Sequence, residues 1–259
     1  MNYTVSLHTH TARCHHAGGV EREYIEQAIA DGLDVIGFAD HAPYEFSGGY
    51  VSNFRMRDSE TYGYFATLLD LRDEYRGKID IKIGFEAEYY PDLFEGFIKG
   101  LEAYPIDYLI LGQHYLDNET SRRYSGATTE DESYLSDYVD QVSAGIRTGV
   151  YSYVAHPDLV NFVGSPEIYE KQYSRLIECA RDEGVPLEVN LLGIRAGRHY
   201  PNERFISLCG KLGAPMCIGA DAHAPRDAAD LESAKKALEL IEKYGVKYVE
   251  SPTLRPVKL

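Results

Sequence analysis

What most constrains this chain is a recurring pattern: an apolar, strand-like run, a polar residue able to bind a cation at its end, then an amphipathic stretch of helical period. Residues 5–8 lead into His8-Thr9-His10. Residues 34–39 run into Asp40-His41, and residues 79–85 into Glu86 with Glu88 beyond. Residues 108–111 lead to Gly112-Gln113-His114, and 151–155 to His156-Pro157. Residues 186–189 end at Asn190, 215–219 at Asp221-Ala222-His223, and 247–250 form a last short strand. The intervening stretches 21–31, 59–75 (capped by Asp58), 91–103, 131–148, 166–183, 201–211 and 227–244 carry helical periodicity. Such alternation predicts a parallel α/β architecture in one domain spanning 1–259. Seven polar stations in chain order predict a closed barrel of about seven βα units, with its site at the C-terminal ends of the strands. An open doubly wound sheet is the alternative, but it would use only some strand ends, at a switch point.

His8 and His10 stand at i and i+2, so on a strand both imidazoles face one side. Imidazole and carboxylate together suit Zn, Mn or Fe. The chain offers His8, His10, His16, His41, Glu86, His114, His156, Asp221 and His223 as ligands, enough for two or three divalent ions. Any one of these histidines taken alone reads better as a structural hydrogen-bonder; the succession of strand ends makes the case for a metal site. Asp40, Glu45 and Glu88 are candidates for orienting the imidazoles. A multinuclear centre implies hydrolysis by metal-activated hydroxide, most often at phosphorus. Arg195 and Arg198 in the 190–201 segment could clamp a phosphate, as could Arg55 and Arg57. A solvated surface position is the stronger reading for Arg55 and Arg198, and His199 reads as a rim residue. No strand is followed by a phosphate-binding G-x-x-x-x-G-K-[ST] loop, and no G-x-S-x-G points to a serine nucleophile.

Lys+Arg 26 against Asp+Glu 41 gives a formal charge of −15, which argues against non-specific binding to nucleic acid or an anionic membrane. The four cysteines lack CxxC pairing and read as reduced, mostly buried thiols of a cytoplasmic protein, with Cys14 close to a candidate site. No apolar run approaches the length of a membrane span.

The ordered set His8-Thr9-His10, His16, Asp40-His41, Glu86, His114, His156-Pro157 and Asp221-Ala222-His223 resembles the PHP (polymerase and histidinol phosphatase) superfamily across almost the whole chain. Cys14-His15-His16-Ala17, Arg55-Met56-Arg57, the 83–89 segment and Gly193-Ile194-Arg195 with Tyr200-Pro201 resemble its histidinol-phosphatase branch. The resemblance implies a distorted (βα)7 TIM-like barrel. It also implies one ion on His8, His10, Glu86 and Asp221, and a second on Glu86, His114 and His156. A third would lie on His16, His41 and His223. The chain has two adjacent histidines at 15 and 16; the family spacing, six residues after His10, selects His16. Arg195, with Arg57 in support, would bind phosphate, and His223 or Asp40 would protonate the leaving group. The implied reaction is hydrolysis of L-histidinol phosphate to L-histidinol and phosphate in histidine biosynthesis. Another small phosphate ester, a nucleotide or phosphosugar, is the alternative substrate. An amidohydrolase-type reaction is disfavoured because no lysine ends a strand where a carbamylated ligand would be needed. Oligomeric state is left open.

Overall fold

The computed structural model describes residues 1–259. Its elements in chain order are β1 (Val5–Ser6), α1 (Glu21–Ala30), β2 (Val35–His41), α2 (Asp58–Glu74), β3 (Asp80–Ala87), α3 (Pro91–Leu101), β4 (Tyr108–Leu111), β5 (Thr128–Thr129), α4 (Glu132–Arg147), β6 (Tyr151–Val154), β7 (Asn161–Phe162), α5 (Pro166–Asp182), β8 (Leu187–Asn190), α6 (Leu191–Ala196), α7 (Glu203–Leu212), β9 (Pro215–Gly219), α8 (Leu231–Lys243) and β10 (Lys247–Tyr248). Eight strands form one parallel sheet in the order β1-β2-β3-β4-β6-β8-β9-β10, while β5 and β7 pair separately. The order never reverses, so there is no switch point and the doubly wound alternative is excluded.

The sheet curls as in a TIM-like barrel, and the segment beyond β1 meets the segment beyond β9. Beyond β1, the His10 N–H donates to the Ala222 carbonyl (2.9 Å) and the Ala222 N–H to the His8 carbonyl (3.2 Å). On the other side the Ala39 N–H donates to the Thr9 carbonyl (2.8 Å). Val35 donates to Thr4 and Ala39 to Thr9, so four steps on β2 are matched by five on the first strand. That extra residue is a bulge, which reverses the alternation of side chains. Leu7 packs in the interior cluster with Tyr108, Ile110 and Tyr153. His8 nevertheless also points inward, its Cβ only 3.1 Å from where a Cβ on Gly219 would stand.

The helices cover the outside. On α2, Tyr64, Phe65, Leu68 and Leu71 are buried, with Tyr64 stacked on Phe85 of β3 at 5.1 Å between centroids. They belong to one cluster of 64 buried apolar residues between helices and sheet. Three details differ from the sequence expectation. Arg57, not Asp58, caps α2, its N–H donating to the Glu60 carboxylate at 2.9 Å. The 191–196 stretch, read as loop, is the short helix α6, because the Asn190 side chain accepts from the Gly193 N–H at 2.9 Å and caps it. The 117–129 stretch, also read as loop, contributes β5. No helix is long and apolar enough to cross a membrane.

Candidate metal centre

Glu86, at the C-terminal end of β3, lies at the middle of the mouth and is 1% exposed. A Cβ at Gly112 would fall 1.9 Å from its Oε1, so the end of β4 must be a glycine for this carboxylate to turn inward. Its Oε1 is 2.8 Å from His156 Nε2 and 3.4 Å from His114 Nε2. Its Oε2 is 3.1 Å from His41 Nδ1 and 3.6 Å from both His8 Nε2 and His10 Nε2. Asp221 faces it: Oδ1 is 3.2 Å from His10 Nε2, 3.6 Å from His8 Nε2 and 3.4 Å from His223 Nδ1. His16 is exposed at the rim, its Nε2 3.0 Å from His223 Nε2, whereas His15 turns away toward Glu60.

The donor set fits cations. His8 Nε2, both nitrogens of His10, His41 Nδ1, His156 Nδ1 and Glu86 Oε2 are buried without a hydrogen-bond partner. Leaving so many polar atoms unpaired in one place would cost about 1–3 kcal/mol each. Ligand atoms of His8, His10 and Asp221, of His8, Glu86 and His156, of His10, His41 and Glu86, and of His16, His41 and His223 each lie within 4.8 Å of one another. Cys14, buried beneath, forms a similar group with His10 and His223. His16 Nδ1 is 2.8 Å from the Cys14 carbonyl and His223 Nδ1 is 3.2 Å from the Asp221 carbonyl. Both rings therefore carry their proton on Nδ1, and two bare Nε2 lone pairs face each other, an arrangement that calls for a positive charge between or beside them.

The imidazoles divide: burial opposes charge on His8 and His10, but the surrounding carboxylates outweigh it, pushing His8 well up and His10 to about 9, positive charge that a bound cation would replace. Burial opposes charge on Glu86, but His114, His41 and His8 outweigh it and hold the carboxyl well below its usual range. Asp221 behaves alike, with His8 and His10 overcoming burial. Burial, then the neighbouring His10, pushes His41 well down and His223 down to about 3, which leaves both neutral and able to bind. His156 and Asp221 also hold left-handed backbone, at φ 30° and 48°. For residues other than glycine this costs about 1–3 kcal/mol, and such strain collects at functional sites.

A layer of carboxylates stands behind the imidazoles. Glu188 Oε1 is 2.8 Å from His8 Nδ1, and its Oε2 accepts from the His156 N–H (2.9 Å) and Asn190 Nδ2 (2.8 Å). Asn190 Nδ2 reaches Asp221 Oδ2 at 3.0 Å. Glu88 Oε1 is 2.9 Å from His114 Nδ1. The contacts to His8 and His114 leave the far nitrogen of each ring facing the centre. Glu188 was not singled out from the sequence. The available signal was a charge inside a short parallel strand that is otherwise apolar and buried on both faces.

Several expected residues stand elsewhere. Asp40 is not at the cavity: its carboxylate accepts from the Thr11 hydroxyl and from the Thr11 and His41 N–H groups. It lies 3.6 Å from His10 Nδ1, a position for orienting that ring rather than delivering a proton. Arg195 is turned away and holds the carbonyls of Ala220 (2.8 Å) and Asp221 (2.7 Å) and the Asp230 carboxylate (3.1 Å). Those acceptors hold its guanidinium behind Asp221, outside the lining of the cavity. Arg57 is exposed at the start of α2, away from the cavity. Arg55, read as a solvated residue, is buried at 1% exposure. Glu45 is on the surface, and His199 contacts the Leu159 carbonyl at 2.7 Å. The guanidinium at the cavity is that of Arg198, over the ring of Tyr200.

The cavity above the centre measures about 460 Å³. Its floor carries His41, Glu86, His114, His156, Asp221 and His223, His16 stands at its rim, and its walls are Phe54, Tyr115, Tyr124, Leu159, Leu192, Tyr200 and Arg198. Apart from Glu86 and Asp221, no carboxylate lines it.

A profile of the PHP domain matches residues 6–191. A probable histidinol-phosphatase of Deinococcus radiodurans is 28% identical over 224 residues, covering 84% of this chain and 85% of that protein. The histidinol-phosphatase of Bacillus subtilis is 26% identical over 250 residues, 85% of this chain and 93% of that one. The fold is shared with the Lactococcus lactis histidinol phosphate phosphatase, solved with zinc, L-histidinol and phosphate. That comparison has a TM-score of 0.74 and 20% identity over 98% of both chains.

Proposed function

The chain belongs to the PHP domain family, and from that premise we propose that it is a metal-dependent phosphomonoesterase that hydrolyses L-histidinol phosphate to L-histidinol and phosphate. The observation that carries the hydrolytic reading is the ring of unpartnered buried imidazole nitrogens around Glu86 and Asp221 at the floor of a small cavity. The substrate follows from relatives named for that reaction that align along most of their length. In the same reading β1, β2, β3, β4, β6, β8 and β9 make a seven-stranded barrel joined through Thr9 and Ala222, with β10 added beside β9.

His8, His10, Glu86 and Asp221 would hold one divalent ion, Glu86 with His114 and His156 a second, and His16, His41 and His223 a third. The donors suit Zn, Mn or Fe. Such ions, when bound, supply an activated water nucleophile and neutralise the phosphoryl oxygens. The protein's part is orientation and exclusion of water. Glu188 and Glu88 keep His8 and His114 in the tautomer that presents Nε2 inward. Arg198, the cation of the cavity wall, is placed to meet phosphate oxygens. The rings of Phe54, Tyr115, Tyr124 and Tyr200 form an aromatic wall for an imidazole-bearing leaving group and offer π faces to its ammonium. Of the two expected proton donors only His223 lines the cavity, and as an ion ligand with its ring proton on Nδ1 against the Asp221 carbonyl it would orient the site rather than protonate the departing oxygen.

A second reading keeps the chemistry and changes the ester. The wall has no free carboxylate to pair with an amine, which favours an uncharged leaving group such as a sugar or nucleoside. Phosphate release from L-histidinol phosphate, a nucleoside monophosphate and a sugar phosphate, each with added Mn²⁺ or Zn²⁺, separates the two. Turnover of the nucleotide and none of histidinol phosphate would sink the first assignment. Metal analysis of the purified protein finding fewer than two ions per chain would contradict the multinuclear centre.

A further inference from the structure

Arg55 lies in the connection after β2, yet it is as buried as any core residue. Its two Nη atoms donate to the two oxygens of Glu88, at 2.9 and 2.7 Å, and its Nε donates to Glu119 Oε2 at 2.7 Å. Rings of Tyr44, Phe46 and Phe54 pack on it, with centroids 5.5, 5.8 and 4.5 Å from the guanidinium carbon. A buried acid–arginine–acid triad is not a source of stability in itself, since well-packed apolar side chains often do as well or better. Each carboxylate here has a second engagement. Glu88 Oε1 also receives His114 Nδ1. Glu119 sits in the connection after β4, which carries Tyr115, and its Oε1 accepts from the Tyr50 hydroxyl at 2.8 Å. Phe54, beside Arg55 in sequence, stacks on Tyr115 (5.9 Å) and meets His41 edge-on (5.1 Å).

We propose that Arg55 is a positioning residue that couples the metal centre to the cavity wall. Through Glu88 it fixes the ring and tautomer of His114. Through Glu119 it holds the β4 connection, and with it the Phe54–Tyr115 wall, against the centre. The planar fork of arginine is what serves both carboxylates at once; the point charge of lysine cannot. The inference rests on the metal reading above and adds a division of labour between the two arms.

The test uses the zinc-loaded full chain, with zinc release to a chromogenic chelator measured beside steady-state hydrolysis of L-histidinol phosphate. In Arg55→Lys one ion should leave about 10- to 100-fold faster, the range seen when a group orienting a metal ligand is lost. The other ions should leave at the wild-type rate, and KM should rise. Excess free Zn²⁺ should restore kcat but not KM, a split that general misfolding would not produce. Glu88→Gln should speed release and leave KM unchanged, and Glu119→Gln should raise KM and leave release unchanged. These two isosteric variants carry the test if Arg55→Lys does not fold. Wild-type release and KM in Arg55→Lys, or one shared profile for the two glutamine variants, would overturn the coupling. Fewer than two ions on the wild-type protein would overturn the underlying metal reading and this inference with it.

Discussion

Replacing Glu188 by glutamine tests whether the buried acid behind His8 does what its geometry implies. Its two oxygens receive three donors: His8 Nδ1–H on one, the His156 N–H and Asn190 Nδ2 on the other. An amide offers one oxygen and one NH₂. With its oxygen toward His8, the NH₂ confronts two donors in a site closed to water. At about 1–3 kcal/mol per unpaired buried donor, two such groups cost about 2–6 kcal/mol. At about 2–4 °C per kcal/mol for a chain of this size, the metal-free protein should melt roughly 4–24 °C lower. With the amide reversed, the NH₂ faces His8, whose Nδ1 must then accept. The ring proton moves to Nε2, which points at Glu86 and Asp221, and metal affinity should fall about 10- to 100-fold. Either way the variant loses something measurable, and thermal melts of stripped and reloaded protein with a zinc titration show which. A Glu188→Gln protein within about 2 °C of wild type when stripped, and within about twofold in zinc affinity, would refute the reasoning.

Other outcomes follow from the same geometry. Gly112→Ala should abolish metal retention while the helices remain formed by circular dichroism, because the new methyl occupies the position of Glu86 Oε1; a variant that still binds zinc would contradict the placement of that carboxylate. Arg198→Ala should lower kcat/KM for phosphate esters about 10- to 100-fold through loss of a charge-assisted hydrogen bond. Arg57→Ala, on the exposed start of α2, should leave kinetics unchanged, and a loss equal to that of Arg198→Ala would contradict the distinction between them. His16→Ala should bind one ion fewer by elemental analysis, whereas His15→Ala, whose ring faces Glu60, should keep the full complement.

The residues legible before the structure were those whose position follows from chain-local rules. A parallel strand buried on both faces reads as an apolar run, and a polar residue where that run stops stands at the barrel mouth. His41, Glu86, His114, His156 and Asp221 stand out on that ground alone, and the structure places them around one cavity. Glu188 follows the same strand logic but lies one position inside the run, where a charge is read as tolerated rather than used. The arginines were the poorest guides. A guanidinium sits wherever its long stem can reach carboxylates or carbonyls, and those partners come from distant parts of the chain. Arg55 meets Glu88 and Glu119, and Arg195 meets the carbonyls of Ala220 and Asp221.

Sequence by itself thus determined the alternation of strand and helix, the end of the sheet at which imidazoles and carboxylates gather, and the types of atom found there. Periodicity specifies the face of an element, and strand ends specify the mouth. Only the tertiary structure decided which atoms meet. The bulge between β1 and Thr9 brings both Leu7 and His8 inward, against simple alternation. The approach of residue 8 to residue 188 sets the tautomer of the first histidine. Closure of the sheet at Thr9 and Ala222 brings His10 within reach of Asp221. Such contacts depend on how strands far apart in sequence are staggered, and no local pattern encodes that stagger.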